Sequence, residues 1–171
     1  MITSSSGTTF ISYDPADIDR INPFLDTHRS VLGDIRSVGV TADDGIAHSS
    51  DEHHILDEIG RRYVAGADLT VVLVGERTWT RRFVDWEVAA SASHGCGILA
   101  VPLSTATNPV PARVQLLAEA RCAVIADHAP ISTAEFAEWI SAARNRDTSA
   151  GPALRAMKTP LMRRDATVTV F

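Results

Sequence analysis

The chain has 171 residues, with 21 acidic side chains against 16 lysines and arginines, and an apolar fraction of 45%. This length and apolar content suit one domain with a proper hydrophobic core. The net charge of −5 argues against a nonspecific nucleic-acid-binding surface, which needs a dominant positive field. The sequence contains no apolar run long enough to span a bilayer and no signal pattern in the Ser/Thr-rich residues 1–9. We therefore expect a cytoplasmic protein that binds neither nucleic acid nor membrane.

The number and spacing of the cysteines and histidines match neither a disulfide scaffold nor a metal site. Cys96 and Cys122 both lie in apolar runs, which favours buried thiols. His53 and His54 have no partners at metal-ligand spacing and are expected on an exposed helix face. We therefore predict no bound metal.

The first elements of the chain are a strand and a helix joined by a capping sequence. The strand is predicted at Thr8–Tyr13 and ends at Asp14, which is expected to cap a helix with Pro15 in its first position. Apolar residues at helical spacing follow, although Pro23 must kink this helix or restart it after Asn22.

The middle of the chain is predicted to hold two strands and two helices. The second strand is expected at Ser37–Thr41, before the polar loop Ala42–Ser50. Ser49 and Glu52 have the spacing of a capping box that opens the second helix. The run Leu69–Val74, apolar except for Thr70, is typical of a central strand that is buried on both faces. A helix from about Arg81 to His94 follows it.

The last elements continue the same alternation. A fourth strand is predicted at Gly97–Leu103, a weak helix near Val114–Ala120, and a fifth strand at Cys122–Asp127. Ser132 and Glu135 form a second capping box at the start of the last helix. The predicted fold is therefore α/β, a flavodoxin-like, doubly wound, five-stranded parallel sheet of order 2-1-3-4-5.

The domain organisation follows from the absence of a linker between two core-forming halves. We expect residues 8–146 to form one domain, after a flexible N-terminus, 1–7, and before a C-terminal extension, 147–171. Thr167–Phe171 is rich in β-branched residues and is predicted to form an extra edge strand or an exchanged arm.

Ligands of such a sheet bind outside the carboxyl ends of the strands, beside the point where strand order reverses. The loops after Tyr13, Thr41 and Val74 meet at that edge. They contain neither the glycine patterns that bind phosphates or dinucleotides nor the elbow of the triad hydrolases. A flavodoxin would place a Ser/Thr run after the first strand and a phospho-receiver an Asp after the third, and this chain matches neither pattern.

Glu87 is the strongest catalytic candidate near this edge. In a helix that begins near Thr80, it lies in the second turn and shares a face with apolar residues. Partial desolvation would raise its pKa and strengthen its field, which is useful for binding a sugar hydroxyl or stabilising a cationic transition state. In the alternative interpretation, Glu87 is a solvated helix residue paired with a nearby arginine: Arg61, Arg62, Arg77 or Arg81.

Three segments resemble the conserved boxes of TIR domains. Phe10–Tyr13 (FISY), followed by Asp17, is similar to the FISY-x-x-x-D box of the first TIR strand. Phe83–Val88, after an apolar strand and a Thr-Trp turn, is similar to the W-C/V-x-x-E-I/L box, and Gly95–Pro102 resembles the glycine-then-strand segment behind it. The resemblance covers roughly residues 8–145 and is strongest to the bacterial TIR-like proteins of Thoeris antiphage systems, the ThsB type.

The resemblance implies an enzyme that uses NAD as its substrate and holds no separate cofactor. Glu87 matches the glutamate that cleaves the nicotinamide–ribose bond in catalytic TIR domains. A carboxylate can stabilise the oxocarbenium-like ribose that remains. Capture by water would give ADP-ribose, and internal capture a cyclic ADP-ribose isomer that signals to a downstream ADP-ribose-sensing effector. The implied activity is thus an NAD⁺ glycohydrolase or ADP-ribosyl cyclase of antiphage defence.

Other residues are expected to bind the substrate. Those flanking the nicotinamide end are Phe10, Ser12 and Asp14, and those in the loop after the second strand are Asp43 and Asp44. Trp79 is expected either to stack on an aromatic ring or to serve as ordinary packing, and Arg81 or Arg82 to contact the pyrophosphate. Acidic residues in these loops and arginines beside Glu87 suit a ligand with a cationic and an anionic part.

Two alternatives remain open at the level of sequence. Many relatives of this kind act as non-catalytic adaptors, so the first alternative is an interaction module that assembles with itself or with a partner. A flavodoxin-like domain that binds another nucleotide is the second alternative. Self-association is also expected if the protein is an enzyme, because TIR-type active sites are often formed by residues of two subunits.

Overall fold

A computed structural model describes residues 7–36 and 51–149 of the chain. Strands and helices alternate through these residues. They are β1 (Thr8–Ser12), α1 (Ile18–Leu32), β2 (Asp34–Arg36), α2 (Glu52–Ile59), β3 (Leu69–Val74), α3 (Arg82–Ser93), β4 (Gly97–Pro102), α4 (Ala112–Glu119), β5 (Ala123–Ile125) and α5 (Thr133–Arg144).

The five strands form one sheet in the order β2-β1-β3-β4-β5, and every neighbouring pair is parallel. The predicted flavodoxin-like fold is confirmed. Strand order reverses between β1 and β3, where Ser12 pairs with Val72. The carboxyl ends of these two strands therefore form the edge at which a ligand is expected to bind.

Helices cover both faces of the sheet because alternate residues of the central strands point to opposite sides. Val71 and Leu73 of β3 pack in one hydrophobic cluster with α1 and α5. Val72 and Val74 pack in another with α3 and α4. A third cluster joins Phe10 of β1 to α2 and α3. All six residues of β3 are buried, as its sequence, apolar except for Thr70, predicts.

The helix starts follow the predicted capping residues at two of three positions. Asp14 accepts a hydrogen bond from the Ala16 N–H and caps a short 3₁₀ turn that leads into α1. Ser132 accepts from the Glu135 N–H at the start of α5, which confirms that cap. At α2 the cap is Asp51, which accepts from the N–H groups of residues 53 and 54. The predicted capping residue Ser49 lies outside the described residues.

The structure tests the expectations for Pro23 and for the second strand. Helix α1 continues through Pro23 to Leu32, so the restart after Asn22 is wrong, and Ile21 and Leu25 on either side of the proline are both buried. The second strand was predicted at Ser37–Thr41, and β2 is found just before that range, at Asp34–Arg36. Residues 37–41 and the predicted extra strand Thr167–Phe171 lie outside the described residues.

The cysteines and the paired histidines lie where the sequence predicts them. Cys96 and Cys122 are buried free thiols, and burial raises the pKa of Cys96 to about 11. His53 and His54 are exposed on α2. Within residues 7–36 and 51–149, no helix has the length and apolar character needed to cross a membrane.

Candidate functional site

Glu87 lies in the second turn of α3, on the side of the helix that faces β1. Its exposure is only 2%, so the carboxyl group is removed from bulk water. Helix α3 connects two parallel strands and therefore runs back along the sheet, with its N-terminus at the carboxyl edge. This direction places Glu87 close to the strand end at which ligands of this fold bind.

Ser12, the last residue of β1, donates a hydrogen bond from its hydroxyl to Glu87 Oε2 at 2.6 Å. Both side chains are buried. A hydrogen bond donated to a carboxylate favours its ionised form and restricts its rotamers. The alternative interpretation of Glu87 as a solvated helix residue is wrong, because the packing of α3 on β1 covers it.

The backbone of Glu87 is also tied to the sheet by hydroxyl groups. The Ser91 hydroxyl donates to the Glu87 carbonyl oxygen at 2.7 Å, and the Thr70 hydroxyl of β3 donates to Ser91 Oγ at 2.7 Å. All three residues are buried. Glu87 is thus held at its side chain by Ser12 of β1, and its backbone is linked to β3 through Ser91, which fixes the carboxylate relative to the sheet.

Asp14 and Arg81 form an ion pair on the outer side of this contact. Arg81 Nη2 lies 2.7 Å from Asp14 Oδ1, the oxygen that also caps the turn after β1. Asp14 is 1% exposed, whereas the Arg81 side chain is 36% exposed. The pair therefore joins the loop after β1 to the start of α3, with the carboxylate inside and the guanidinium reaching solvent.

A cavity of about 290 Å³ opens beside Asp14, at the carboxyl ends of β1 and β3. Its walls contain mostly acidic residues and two arginines: Asp14, Ala16, Asp17, Asp19, Arg20, Glu76 and Arg77. Glu87 is not among the described residues that line it. The mixed charge agrees with the sequence expectation of an acidic rim with a few arginines.

Asp17 and Gly75 are in close contact in this wall. A Cβ atom on residue 75 would collide with the Asp17 carboxylate, so any other residue here would require the Asp17 side chain to move. Burial raises the pKa of Asp17, and the negative charge of Asp14 raises it further. The cavity therefore holds two neighbouring carboxyl groups, of which Asp14 is neutralised by Arg81.

Tyr13 adds a neutral phenol to the site. Burial raises the pKa of its hydroxyl, and the negative charge of Glu87 raises it further. Near neutral pH the group therefore remains a hydrogen-bonding phenol and adds no second negative charge beside Glu87.

The N-terminal turns of α3 are held by contacts on both sides of Glu87. Asp85 forms a buried two-point ion pair with Arg113 of α4, with N–O distances of 2.8 and 2.9 Å. On the other side, Trp86 packs edge-on against Phe83, and the Arg82 guanidinium lies 5.6 Å from the Trp86 ring centre. These contacts fix the helix that carries Glu87.

The other residues that the sequence predicts to bind substrate lie partly in the core, partly around the start of α3 and partly outside the described residues. Phe10 is fully buried in the cluster formed with α2 and α3. Trp79 is half-buried in the 3₁₀ turn before α3, whose Thr78 hydroxyl accepts from the Gly75 N–H. Arg82 lies over Trp86. Asp43 and Asp44 lie outside the described residues. For all of these a substrate contact stays a prediction.

Sequence reasoning missed the partners of Glu87, although one signal was available. Phe10 and Ser12 are two residues apart on a strand, so both point to the side of α2 and α3. That spacing places Ser12 opposite a helix residue of the Glu87 face. The roles of Thr70 and Ser91 carried no comparable signal, because both lie in ordinary apolar segments.

A comparison of the chain with models of protein families identifies its family. The model described as Thoeris protein ThsB, TIR-like domain, matches residues 10–108, which is more than half of the chain. The chain belongs to this family. The matched range includes Ser12, Asp14, Arg81 and Glu87, and thus every residue of the two contacts between β1 and α3. A comparison with curated proteins finds no match.

Proposed function

We propose that this Thoeris-type TIR-like protein cleaves the nicotinamide–ribose bond of NAD and releases ADP-ribose or a cyclic ADP-ribose isomer. The product would carry the signal to a downstream ADP-ribose-sensing effector in antiphage defence. The proposal rests above all on Glu87, a buried carboxylate that β1 and β3 hold at the ligand-binding edge of the sheet.

The chemistry fits a fixed carboxylate in a water-poor site. When the C–N bond breaks, its electron pair leaves with the nicotinamide nitrogen, and the ribose carbon acquires oxocarbenium character. A negative charge held beside the ribose stabilises this positive charge and needs no reorganisation during the reaction. Water then adds to the carbon and loses a proton, which gives ADP-ribose, or a nucleophile of the same molecule adds and closes a ring.

A second function, a non-catalytic interaction module, is favoured by one observation. The Ser12–Glu87 contact is fully buried and shows the geometry of an ordinary structural hydrogen bond. In that case the contact would serve to join β1 to α3, and the protein would act by assembling with itself or with a partner.

Product analysis separates the two functions. The wild type and Glu87→Gln are incubated with NAD at high protein concentration, and the products are identified by mass spectrometry. We expect nicotinamide together with ADP-ribose or its cyclic isomer from the wild type, and neither from Glu87→Gln. Glu119→Gln is the matched control, because it makes the same chemical change at an exposed position of α4. Equal product yields from wild type and Glu87→Gln would contradict the enzyme proposal.

A further inference from the structure

Two contacts between β1 and α3 lie one above the other. The inner contact joins Ser12 to Glu87, and the outer contact joins Asp14 to Arg81. Arg81 precedes Glu87 by six residues, which is about 9 Å along a helix axis. Asp14 follows Ser12 by two residues, or about 7 Å of extended chain. Both steps lead toward the carboxyl edge of the sheet, so the ion pair lies between Glu87 and that edge.

Burial follows the same order. Ser12 and Glu87 at the inner level are 0% and 2% exposed, and Asp14 at the outer level is 1% exposed. Only the Arg81 side chain, at 36%, reaches solvent to a substantial degree. On the β1 and α3 side, a ligand that approaches Glu87 from the edge therefore meets Arg81 first and Asp14 next.

Asp14 is also the residue that the cavity and the ion pair have in common. It lines the 290 Å³ cavity and at the same time binds Arg81 above the Ser12–Glu87 contact. Asp14 therefore connects the wall of the cavity with the outer of the two contacts that cover Glu87.

We propose that the Asp14–Arg81 ion pair is a gate over Glu87, which an anionic ligand opens by taking Arg81 away from Asp14. The inference rests on the proposed function for its ligand, the pyrophosphate group of NAD. A guanidinium binds phosphate oxygens through the same paired N–H groups that it offers to a carboxylate, so the two anions compete for it. The substrate thereby exposes the carboxylate that acts on it.

The charges around the cavity explain why the gate remains closed without a ligand. Asp14 released from Arg81 would stand as an unneutralised carboxylate near Asp17, whose pKa the charge of Asp14 already raises. Asp19 and Glu76 add negative charge to the same wall. Opening is therefore unfavourable until an anion replaces Asp14 on Arg81 and a cationic group, such as the nicotinamide ring, approaches the freed acid.

The test measures access to Glu87 directly and does not depend on turnover. Carboxyl groups of the full-length protein are labelled with a carbodiimide and an amine, and labelling at Glu87 is read by peptide mass spectrometry. We expect Glu87 to be protected from labelling in the wild type. In Asp14→Asn, which removes the negative charge that binds Arg81, we expect Glu87 to be labelled about tenfold faster. Asparagine is as good a helix cap as aspartate, so the turn after β1 is retained.

Inorganic pyrophosphate serves as the probe for the ligand. It is expected to increase Glu87 labelling in the wild type, and to have no effect in Arg81→Met, whose Glu87 is already accessible. Asp85, a buried carboxylate on the same helix, is the internal control for folding and is expected to stay protected in every variant. Asp68→Asn, which removes an ion pair with Arg144 on α5, is the matched control and is expected to label like the wild type.

Two results would overturn the gate. One is protection of Glu87 in Asp14→Asn at the wild-type level, and the other is an equal effect of pyrophosphate on the wild type and Arg81→Met. Failure of the proposed function is a separate result, because it appears as absent nicotinamide release and leaves the labelling pattern unchanged. With both intact, we expect Asp14→Asn to raise kcat/KM for NAD, and Arg81→Met to raise KM through the lost phosphate contact.

Discussion

At the residue scale, the site depends on how a single carboxylate is held. Glu87 lies on a helix that could expose it to water, yet it is buried because Ser12 supplies a hydroxyl partner at the end of β1. A buried carboxylate without hydrogen bonds would be unfavourable by several kcal/mol. The Ser12 hydroxyl at the end of β1 therefore supplies a hydrogen bond that offsets part of the cost of burying the Glu87 carboxyl group.

Replacing Ser12 tests this dependence. Ser12→Ala removes the donor to Glu87 and is expected to lower kcat for nicotinamide release by about tenfold or more, the value of a hydrogen bond to a charged group.

Ser93→Ala is the control for this variant. It removes another α3 hydroxyl, one that donates to a helix carbonyl away from Glu87. An unchanged kcat in Ser12→Ala would show that the hydroxyl serves packing alone.

At the element scale, the position of α3 depends on contacts that join it to its neighbours. Asp85 and Arg113 lie 28 residues apart on different helices and form a buried ion pair. Sequence patterns predicted both helices but not this pairing, because no local spacing relates the two residues. Four of the five strands were predictable from apolar runs and two of the three caps from local spacing, whereas the contacts that complete the site arise only when distant elements pack.

The Asp85–Arg113 pair is expected to contribute strongly to stability. Asp85→Ala leaves a buried guanidinium without its carboxylate, and the free energy of unfolding is expected to fall by about 3 kcal/mol or more. The measurement is urea unfolding followed by circular dichroism.

The control for this variant uses an exposed ion pair of α1. Asp26→Ala removes the ion-pair partner of Arg29. The Arg29 side chain is 69% exposed and that of Asp26 is 78% exposed, so the variant is expected to change the free energy of unfolding by less than about 1 kcal/mol. Equal losses in the two variants would contradict the structural role of the buried pair.

At the scale of the whole molecule, the sheet separates the site from a second helical layer. Helices α1 and α5 cover the face opposite to α3, and His28 is buried between them. Its ring lies 4.7 Å from Phe24 and 5.0 Å from Phe136. Burial lowers the pKa of His28 below its ordinary value of 6.5, so folding disfavours the protonated ring.

This histidine makes the stability of the fold depend on pH. The unfolded chain binds a proton at the ordinary pKa and the folded chain only at lower pH, so stability is lost as pH falls below about 6.5. We expect the unfolding midpoint in urea to fall between about pH 7 and pH 5 in the wild type. His28→Leu is expected to remove a measurable part of this dependence, and identical pH dependence in both proteins would contradict the assignment.

The rate of nicotinamide release from NAD is the most direct test of the central claim, that a fixed Glu87 carboxylate acts in catalysis. It is measured at equal protein concentration for the wild type, Glu87→Gln, Glu87→Asp and the control Glu119→Gln. We expect wild-type release from the control and a loss of at least about a hundredfold in Glu87→Gln, the cost of removing a charge aimed at the transition state. Glu87→Asp is expected to be intermediate, because it keeps the charge but withdraws it from Ser12. Release by Glu87→Gln at the wild-type rate would contradict the claim.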